Sequence, residues 1–459
     1  MKAVLLVALF PWLLSPTRLE HEERPNLLLL VTDDHPFDAL SCAGHPILRT
    51  PHMDALAERG VHFTHAFVTT PICAASRASL FSGRYERAHG YTFGQPPLSD
   101  ETVRETYPSL LRRAGYRVGF VGKLGVGISP AGLEEMFDEY TPGTYPYFRQ
   151  DATDPGERDP TSPRHLTELN TDRAITFLST SDERPFHLSI SFQAPHAEDA
   201  NPDQYVWPRS CDALYVEDTI PPPKTADPAF FEALPEFLRT GLNRERWHWR
   251  FDTPQKRERM VKGYYRMLSG VDEGIGRLLV TLDELGLREN TVILLIGDNG
   301  YFLGERGYAG KWTLHERSIR VPLIVYDPRL PKERGGRLVD AFALNVDIAP
   351  TLLDLAGIEV PAGMQGRSLR PLLEGRNTSW REEVFTEHLW KHGRIPRTEG
   401  LRTRDWKYIR YLDHPEYEEL YDLRSDPNEE HNLAREERHA GQRSQLAERC
   451  TLAAQRAQD

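Results

Sequence analysis

The stretch after residue 70 places a cysteine and an arginine at the start of a predicted helix. Cys73 opens the run CAASR, which ends at Arg77, and Gly83 follows the predicted helix. A helix N-terminus presents unpaired N–H groups and the positive end of the helix dipole, so an anion is stabilised there. Because Arg77 lies one helical turn after Cys73, both side chains can face the same anion. The alternatives are a half-buried structural cysteine and a surface arginine.

Two pairs of oxygen-bearing side chains lie far apart in the sequence, each directly after an apolar run. Asp33 and Asp34 form the first pair, and Asp298 and Asn299 form the second. Carboxylate and amide oxygens suit calcium or magnesium, whereas zinc prefers thiolate and imidazole ligands. Either pair alone would equally fit a solvated turn or a helix cap. A metal site therefore requires the two pairs to meet in the fold.

Several apolar runs have the composition of buried strands, and each leads to a polar residue able to do chemistry. They are residues 27–32 before Asp33, 117–122 before Lys123, 186–193 before His196 and 291–297 before Asp298. Continuous apolar strands that alternate with helical segments predict an α/β fold with a large, mostly parallel sheet flanked by helices. Such sheets bind ligands at the carboxyl ends of their strands, where these polar residues would converge.

Helix signals appear between these runs. Thr50 is predicted to cap a helix that has Pro51 at its first position and Gly60 just past its end. Residues 107–114 form a second predicted helix, and residues 260–285 form a long amphipathic one that stops at a glycine. These helices would cover the faces of the sheet.

Two later regions follow different patterns. Residues 199–252 are irregular in pattern and rich in proline and tryptophan, as in loops that act as lids or binding walls. Beyond about residue 382, short β-prone runs predict a small antiparallel sheet with a terminal helix near 434–457. We therefore predict a large α/β domain over residues 25–380 and a small C-terminal subdomain over 381–459.

The first residues and the composition limit the class of protein. Lys2 precedes the apolar run 3–14, which is too short to span a bilayer but fits a signal peptide. We predict a signal peptide over residues 1–18 and a secreted or periplasmic protein; a buried N-terminal strand or helix is the alternative. No other stretch of the sequence reaches transmembrane length. The net charge of -12, without a basic block, argues against nucleic acid as a partner.

Together these motifs resemble those of the type I sulfatases, which belong to the alkaline-phosphatase-like superfamily. The stretch PICAASRASLFSGRYERAHG resembles the family signature, whose cysteine is oxidised after translation to formylglycine. The resemblance implies that the hydrated aldehyde at position 73 is the nucleophile and that a formylglycine-generating enzyme is a partner during maturation. The DD and DNG motifs match the family's metal motifs, which implies a Ca²⁺ site. Its implied ligands are Asp33, Asp34, Asp298, Asn299 and the oxygen of modified Cys73.

The resemblance also implies roles for the remaining polar residues. Arg77 would hold the formylglycine and the metal-ligating carboxylates. Lys123, in the motif GKLG, would contact the sulfate, and Lys311, in GKW, would contact the sulfate and stabilise the leaving oxygen. His196, in QAPH, would protonate the leaving alcohol, a task that suits an imidazole because its pKa lies near operating pH.

The chain departs from the family pattern at two positions. Ala75 stands where the family motif has a proline that helps to present the cysteine to the modifying enzyme. Gly125 stands where the family often has a histidine, which is thought to accept a proton when sulfate is expelled. His35 and His89 are candidates to replace that histidine, with a bystander or substrate-contact role as the alternative for each.

The main hypothesis is a secreted sulfatase that hydrolyses sulfate esters on carbohydrate, with a small sulfate ester as the alternative substrate. A second hypothesis is a phosphonate or phosphodiester hydrolase that uses the same nucleophile. A third is a non-catalytic protein that binds sulfated glycans and has lost the chemistry. Only the two departures, Ala75 and Gly125, support the third hypothesis.

Overall fold

The computed structural model describes residues 24–149, 163–376 and 378–458. The predicted signal peptide over residues 1–18 lies outside the described residues. Among the described residues, no helix is both long and apolar enough to cross a membrane.

The strands and helices are named in chain order. The strands are β1 (Asn26–Thr32), β2 (Val61–Phe63), β3 (Ala66–Phe67), β4 (Arg117–Gly122), β5 (Glu139–Pro142), β6 (Phe148–Arg149), β7 (Arg164–His165), β8 (Phe186–Ser191), β9 (Thr291–Gly297), β10 (Phe302–Leu303), β11 (Ala309–Gly310), β12 (Leu323–Tyr326), β13 (Arg337–Val339), β14 (Ala343–Leu344), β15 (Glu383–His388), β16 (Thr398–Thr403), β17 (Trp406–Tyr411) and β18 (Glu418–Asp422). The α-helices are α1 (Pro51–Arg59), α2 (Cys73–Ser82), α3 (Glu86–His89), α4 (Asp100–Arg104), α5 (Tyr107–Arg113), α6 (Pro130–Met136), α7 (Leu166–Ser179), α8 (Pro228–Glu232), α9 (Glu236–Arg239), α10 (Leu242–Arg250), α11 (Pro254–Glu284), α12 (Glu316–Ile319), α13 (Ile348–Leu355), α14 (Arg370–Leu373) and α15 (Ala440–Gln458).

An eight-stranded sheet forms the centre of the molecule, in the order β13-β2-β12-β9-β1-β8-β4-β5. Neighbouring strands are parallel except around β12, which runs antiparallel to both β2 and β9. The predicted mostly parallel α/β sheet is therefore confirmed. Strands β9, β1, β8 and β4 are consecutive in this order, so the polar residues that follow them leave the sheet at one edge.

Two apolar cores cover the two faces of this sheet. Along β1, Leu27 and Leu29 point into one core, whereas Leu28 and Leu30 point into the other. Every residue of β1 is buried, as are those of β4, β8 and β9. A strand that is buried on both faces has a continuous apolar sequence. This explains why the apolar runs predicted these four strands.

Helix α1 begins at Pro51 as predicted, but its cap differs from the prediction. Thr50 occupies the N-cap position without a side-chain capping bond, because its hydroxyl donates to Asp54 Oδ1 at 3.2 Å. The carboxylate of Asp272 on α11 accepts instead from the backbone N–H of Met53 at 2.8 Å and of His52 at 3.1 Å. A side chain 220 residues away from His52 therefore caps this helix.

The segment 199–252, predicted to be irregular, carries three helices, α8, α9 and α10. Prolines open or precede the first two, and aromatic and charged residues mask the helical period of the third. The prediction of a purely irregular loop was wrong for this segment.

The C-terminal sheet is antiparallel in the order β15-β16-β17-β18, which confirms the prediction for this region. Helix α15 begins at Ala440 rather than near 434 and packs on the sheet through Leu446 and Cys450. Val384 and Ile409, which belong to β15 and β17, join the same apolar core as β1. The small sheet is thus continuous with the main core.

Candidate active site

The two carboxylate pairs meet at the carboxyl edge of the central sheet. Thr32 at the end of β1 is in register with Gly297 at the end of β9, so the residues that follow them are neighbours. The backbone N–H of Asp34 donates to Asp298 Oδ1 at 3.2 Å, and Asn299 Nδ2 donates to Asp34 Oδ1 at 2.7 Å. Residues 265 positions apart therefore form one buried oxygen cluster.

Arg77 ties the helix α2 to this cluster. Its Nε donates to Asp298 Oδ2 at 2.7 Å, and its Nη2 lies 3.6 Å from Asp33 Oδ2. Its Nη1 donates to the backbone carbonyl of Lys123 at 2.6 Å and also contacts the hydroxyl of Ser191. The guanidinium thus contacts residues at the carboxyl ends of four strands, β1, β9, β4 and β8.

Two lysines complete the ring of positive charge. Lys123 Nζ contacts Asp33 Oδ2, and Lys311 Nζ contacts Asp34 Oδ1. Their side chains are 12% and 3% exposed, respectively. Burial lowers the pKa of Lys311, but the negative charges of Asp34, Cys73 and Asp33 outweigh burial and hold it well above its usual range. Three buried carboxylates are thus matched by three buried cations, as low-dielectric surroundings require.

Cys73 is the first residue of α2 and is only 4% exposed. The first turn of this helix contains no acidic residue, and the preceding Ile72 supplies no side-chain cap. A negative charge at residue 73 would raise the pKa of Arg77, Lys123 and Lys311, so the Cys73 side chain lies within electrostatic reach of all three. The structure therefore brings the predicted nucleophile position together with the three predicted cations.

The oxygen cluster fits a hard divalent cation. Asp33 Oδ1 and Asn299 Oδ1 are buried and have no hydrogen-bond partner among the described residues. Ligand atoms of Asp33, Asp34 and His196 lie within 4.8 Å of one another. Burial raises the pKa of Asp33, yet Lys123, His196 and Lys311 together hold it well below its usual range, so its carboxylate is ionised. An oxygen-rich set with an ionised carboxylate and unused lone pairs is what calcium or magnesium binds.

His196 reaches the cluster from the turn after β8, and a tyrosine that the sequence did not indicate holds it. Its Nε2 lies 3.7 Å from Asp34 Oδ2. On the other side of the ring, Nδ1 contacts the Tyr145 hydroxyl and lies 2.6 Å from the carbonyl of Ala197. The Tyr145 hydroxyl donates to the same carbonyl at 2.5 Å. Since a carbonyl only accepts, this arrangement places the proton of the neutral ring on Nδ1 and turns Nε2 towards Asp34.

The side chain of His196 is only 14% exposed, and burial lowers its pKa to about 4 even though Asp34 and Asp33 oppose this shift. A protonated imidazole with a depressed pKa gives up its proton readily. No motif or periodicity marks Tyr145, which lies between β5 and β6 in an irregular stretch.

The two histidines considered as replacements for the one absent at position 125 are both engaged elsewhere. His35 contacts Thr32 Oγ1 at 2.8 Å and the carbonyl of Ala39 at 2.8 Å. His89 contacts Ser79 Oγ at 3.1 Å and accepts from the backbone N–H of Tyr91 at 3.0 Å. With both ring nitrogens of each occupied, these histidines stabilise local structure.

Gly125 lies directly against Arg77. Its φ is +71°, and a Cβ at this position would lie 2.6 Å from Arg77 Cδ. The turn therefore leaves no room for a side chain here without displacing the arginine. Ala75, at the other departure, is fully buried in a small apolar cluster with Ile72, Trp312 and Ile395.

Comparison with known proteins agrees with this fold and site. Residues 25–358 match the family described as Sulfatase, and residues 304–457 match that described as N-sulphoglucosamine sulphohydrolase, C-terminal. An N-acetylglucosamine-6-O-sulfatase of Bacteroides thetaiotaomicron is 28% identical over 493 residues, covering 93% of this chain and 86% of the relative.

Solved structures show the same architecture. A protein in complex with its substrate D-glucosamine-2-N,6-O-disulfate has a TM-score of 0.78 and 25% identity, covering 95% of this chain and 99% of that chain. A phosphonate monoester hydrolase of Agrobacterium radiobacter has a TM-score of 0.77 and 24% identity, covering 95% and 96%, and shares the fold.

The fold and the site define an ester hydrolase of the alkaline-phosphatase-like class. Because the match spans residues 25–358, the chain belongs to the sulfatase family and is a sulfuric ester hydrolase.

Proposed function

We propose that this protein removes sulfate from sulfated carbohydrate, with formylglycine made from Cys73 as the nucleophile and a bound Ca²⁺. The observation that carries the proposal is the meeting of Cys73 with three buried cations and three buried carboxylates at one sheet edge. Sugar as the leaving group is supported by the relative named N-acetylglucosamine-6-O-sulfatase and by the structural neighbour in complex with its substrate D-glucosamine-2-N,6-O-disulfate.

The metal would be held by Asp33, Asp34, Asp298 and Asn299, with the side-chain oxygen of modified residue 73. Bound there, Ca²⁺ would polarise a sulfate oxygen and offset negative charge in the transition state. Without a metal the three carboxylates and three cations balance, so a divalent ion would give the site a surplus of positive charge. That surplus suits an anionic substrate.

Oxidation of Cys73 by a formylglycine-generating enzyme would supply a hydrated aldehyde, whose oxygen is a nucleophile that the thiol cannot provide. The start of α2 suits such a group because its backbone N–H groups and dipole stabilise negative charge. Ala75, in place of the motif proline, keeps this turn packed against Trp312.

The chain's own side chains would bind the sulfate and handle the proton. Lys123 and Lys311 flank the cluster from two sides and would hold sulfate oxygens by charge-assisted hydrogen bonds. Arg77, fixed by Asp298, would keep residue 73 aligned with the carboxylates. His196 presents Nε2 to the cluster and, in its doubly protonated imidazolium form, would pass the Nε2 proton to the departing sugar oxygen while Nδ1 keeps its own.

Replacement of Cys73 by alanine tests the nucleophile. We expect Cys73→Ala to lower kcat on a sulfate ester by roughly 10³-fold or more, because the remaining groups only bind and polarise the substrate. Cys42→Ala is the matched control, since Cys42 lies beside Asp54 and outside the cluster. Steady-state assays of both variants give the comparison. Full activity of Cys73→Ala would refute the assignment.

Mass spectrometry of the peptide that contains residue 73 tests the modification separately. We expect an aldehyde that reacts with a hydrazine probe, whereas an unmodified thiol in an active preparation would exclude formylglycine.

The second candidate reaction, phosphonate ester hydrolysis, is favoured by the shared fold with the phosphonate monoester hydrolase. Matched aryl sulfate and aryl phosphonate esters separate the two reactions, and faster turnover of the phosphonate would overturn sulfatase as the main activity.

We also propose that the protein is exported, with residues 1–18 as a cleaved signal peptide. Support comes from the apolar run 3–14 after Lys2. N-terminal sequencing of the mature protein checks this, and a mature chain that retains residue 2 would exclude cleavage.

A further inference from the structure

Helix α10, in the segment between β8 and α11, is attached to the active site by its first turn. Asn243 Nδ2 donates to the backbone carbonyl of Lys311 at 2.7 Å. The next residue, Trp312, donates its backbone N–H to the carbonyl of Pro71 at 3.2 Å, two residues before Cys73. The position of α10 is therefore set relative to both the catalytic lysine and the nucleophile position.

Arg246, one turn further along α10, lies over the indole of Trp312. Its guanidinium carbon is 4.9 Å from the centre of the Trp312 ring, and its side chain is 13% exposed. An arginine on an aromatic face is held in a fixed plane and keeps its edge free for hydrogen bonds. Arg246 is thus an ordered cation beside the lysine that flanks the sulfate position.

The charge around Arg246 is incompletely neutralised. Arg246 and Arg250 both pair with the single carboxylate of Asp199, and Arg250 is fully buried and donates to the Tyr301 hydroxyl at 3.0 Å. The nearby Glu245 pairs with Arg394 instead. Within the described residues, the buried Nε of Arg246 has no hydrogen-bond acceptor. One positive charge and an unused donor therefore remain next to the site.

This surplus lies on the side where the leaving sugar would sit. Asp199, the carboxylate that pairs with Arg246, follows His196 by only three residues in the turn after β8. His196 is the residue proposed to protonate the departing oxygen. A second group on the same sugar, beyond the reacting sulfate, would therefore approach the guanidinium of Arg246 where it lies over Trp312.

We propose that Arg246, stacked on Trp312, binds a second anionic group of the substrate, so that the preferred substrate is a sugar unit carrying at least two acidic groups. The proposal rests on the proposed sulfatase function and specifies its substrate class. The second group is a sulfate or a carboxylate, since a guanidinium edge accommodates either by paired hydrogen bonds.

Matched sugar pairs test the proposal. Glucosamine-6-O-sulfate and glucosamine-2-N,6-O-disulfate differ by one sulfate, and a sulfated uronic-acid disaccharide and its methyl ester differ by one carboxylate. We expect the wild type to favour the more acidic member of at least one pair by roughly 10- to 100-fold in kcat/KM, the effect of one charged hydrogen bond. The pair that shows the preference identifies the second group.

Variants on α10 assign the preference to a residue. Arg246→Ala should remove the preference by losing activity on the more acidic member, and Arg246→Lys should retain part of it. Arg244→Ala is the control, because Arg244 lies on the same helix with its guanidinium carbon 3.9 Å from the Phe231 ring centre and 3.8 Å from that of Trp247. It should leave the preference intact. Thermal unfolding curves confirm that each variant is folded.

Equal use of both members of each pair by the wild type would overturn the proposal, and so would a preference that survives in Arg246→Ala. Turnover of 4-nitrophenyl sulfate without turnover of any of the sugars would also overturn it. Failure to hydrolyse 4-nitrophenyl sulfate and every sugar sulfate would instead contradict the proposed function itself.

Discussion

Tyr145 shows how one hydroxyl can decide which nitrogen of His196, the proposed general acid, faces the oxygen cluster. By donating to the Ala197 carbonyl and contacting Nδ1, it leaves Nε2 of His196 turned towards Asp34. The proton for the leaving alcohol would then travel through a single defined atom. Under the proposed mechanism, Tyr145 acts through His196 and is a positioning residue.

Tyr145→Phe should lower kcat by roughly tenfold and leave KM nearly unchanged, because the imidazole loses its orientation while the sulfate contacts remain. The loss should be larger for a sugar sulfate, whose alcohol must be protonated, than for an aryl sulfate with an acidic phenol. Assays of both substrates measure this difference. Tyr116→Phe is the control, because its hydroxyl donates to Pro25 at the opposite end of the sheet. Equal losses on both substrates would contradict the positioning role.

At the scale of helices and strands, Asp272 links α11 to the start of α1. It accepts the first free N–H groups of α1, and burial raises its pKa to about 7 even though those N–H groups oppose the shift. The native state therefore keeps a proton on Asp272 between about pH 4 and pH 7, where the unfolded chain has lost it. Its contribution to stability consequently falls as the pH rises through this range.

Asp272→Asn should flatten the fall in stability between pH 4 and pH 7, because the amide keeps one acceptor oxygen and does not titrate. Asp272→Ala should lower stability by about 1–2 kcal/mol at every pH, since buried N–H groups lose their acceptor. Unfolding curves across this pH range measure both effects. Asp283→Asn, at an exposed position of the same helix, should change neither. A pH slope that persists in Asp272→Asn would refute this origin.

The sequence located the strands and most of the site because their signals are local. Four apolar runs before Asp33, Lys123, His196 and Asp298 are sufficient to place these residues at one sheet edge. The Asp272 cap and the Tyr145 contact depend on residues that are distant in sequence, so no local pattern indicates them. Helix α10 was missed because its tryptophans and charges hide the helical period.

At the scale of the whole molecule, the C-terminal sheet is part of the structure that supports the active site. The backbone N–H of Glu387 in β15 donates to the Thr69 carbonyl at 2.8 Å, four residues before Cys73. Arg87 on α3 pairs with Glu387 and Glu399 and donates to the Ala454 carbonyl of α15 at 3.0 Å. The two sheets on either side of the boundary predicted near residue 380 are thus connected by contacts close to the segment that carries Cys73.

A chain that ends at residue 380 should be insoluble or should unfold without a cooperative transition, because it exposes the part of the core that Val384, Ile409 and Tyr421 fill. Soluble yield and thermal unfolding, compared with the full chain, measure this. A soluble fragment with a sharp transition would instead establish residues 25–380 as an autonomous domain.

The close approach of Gly125 to Arg77 sets a limit on protein engineering. Gly125→His would push the guanidinium off Asp298, because the new Cβ would lie only 2.6 Å from Arg77 Cδ. A designer would have to rebuild the turn after β4 first. Under the proposed mechanism, the group that accepts a proton when sulfate is expelled would have to come from a different residue.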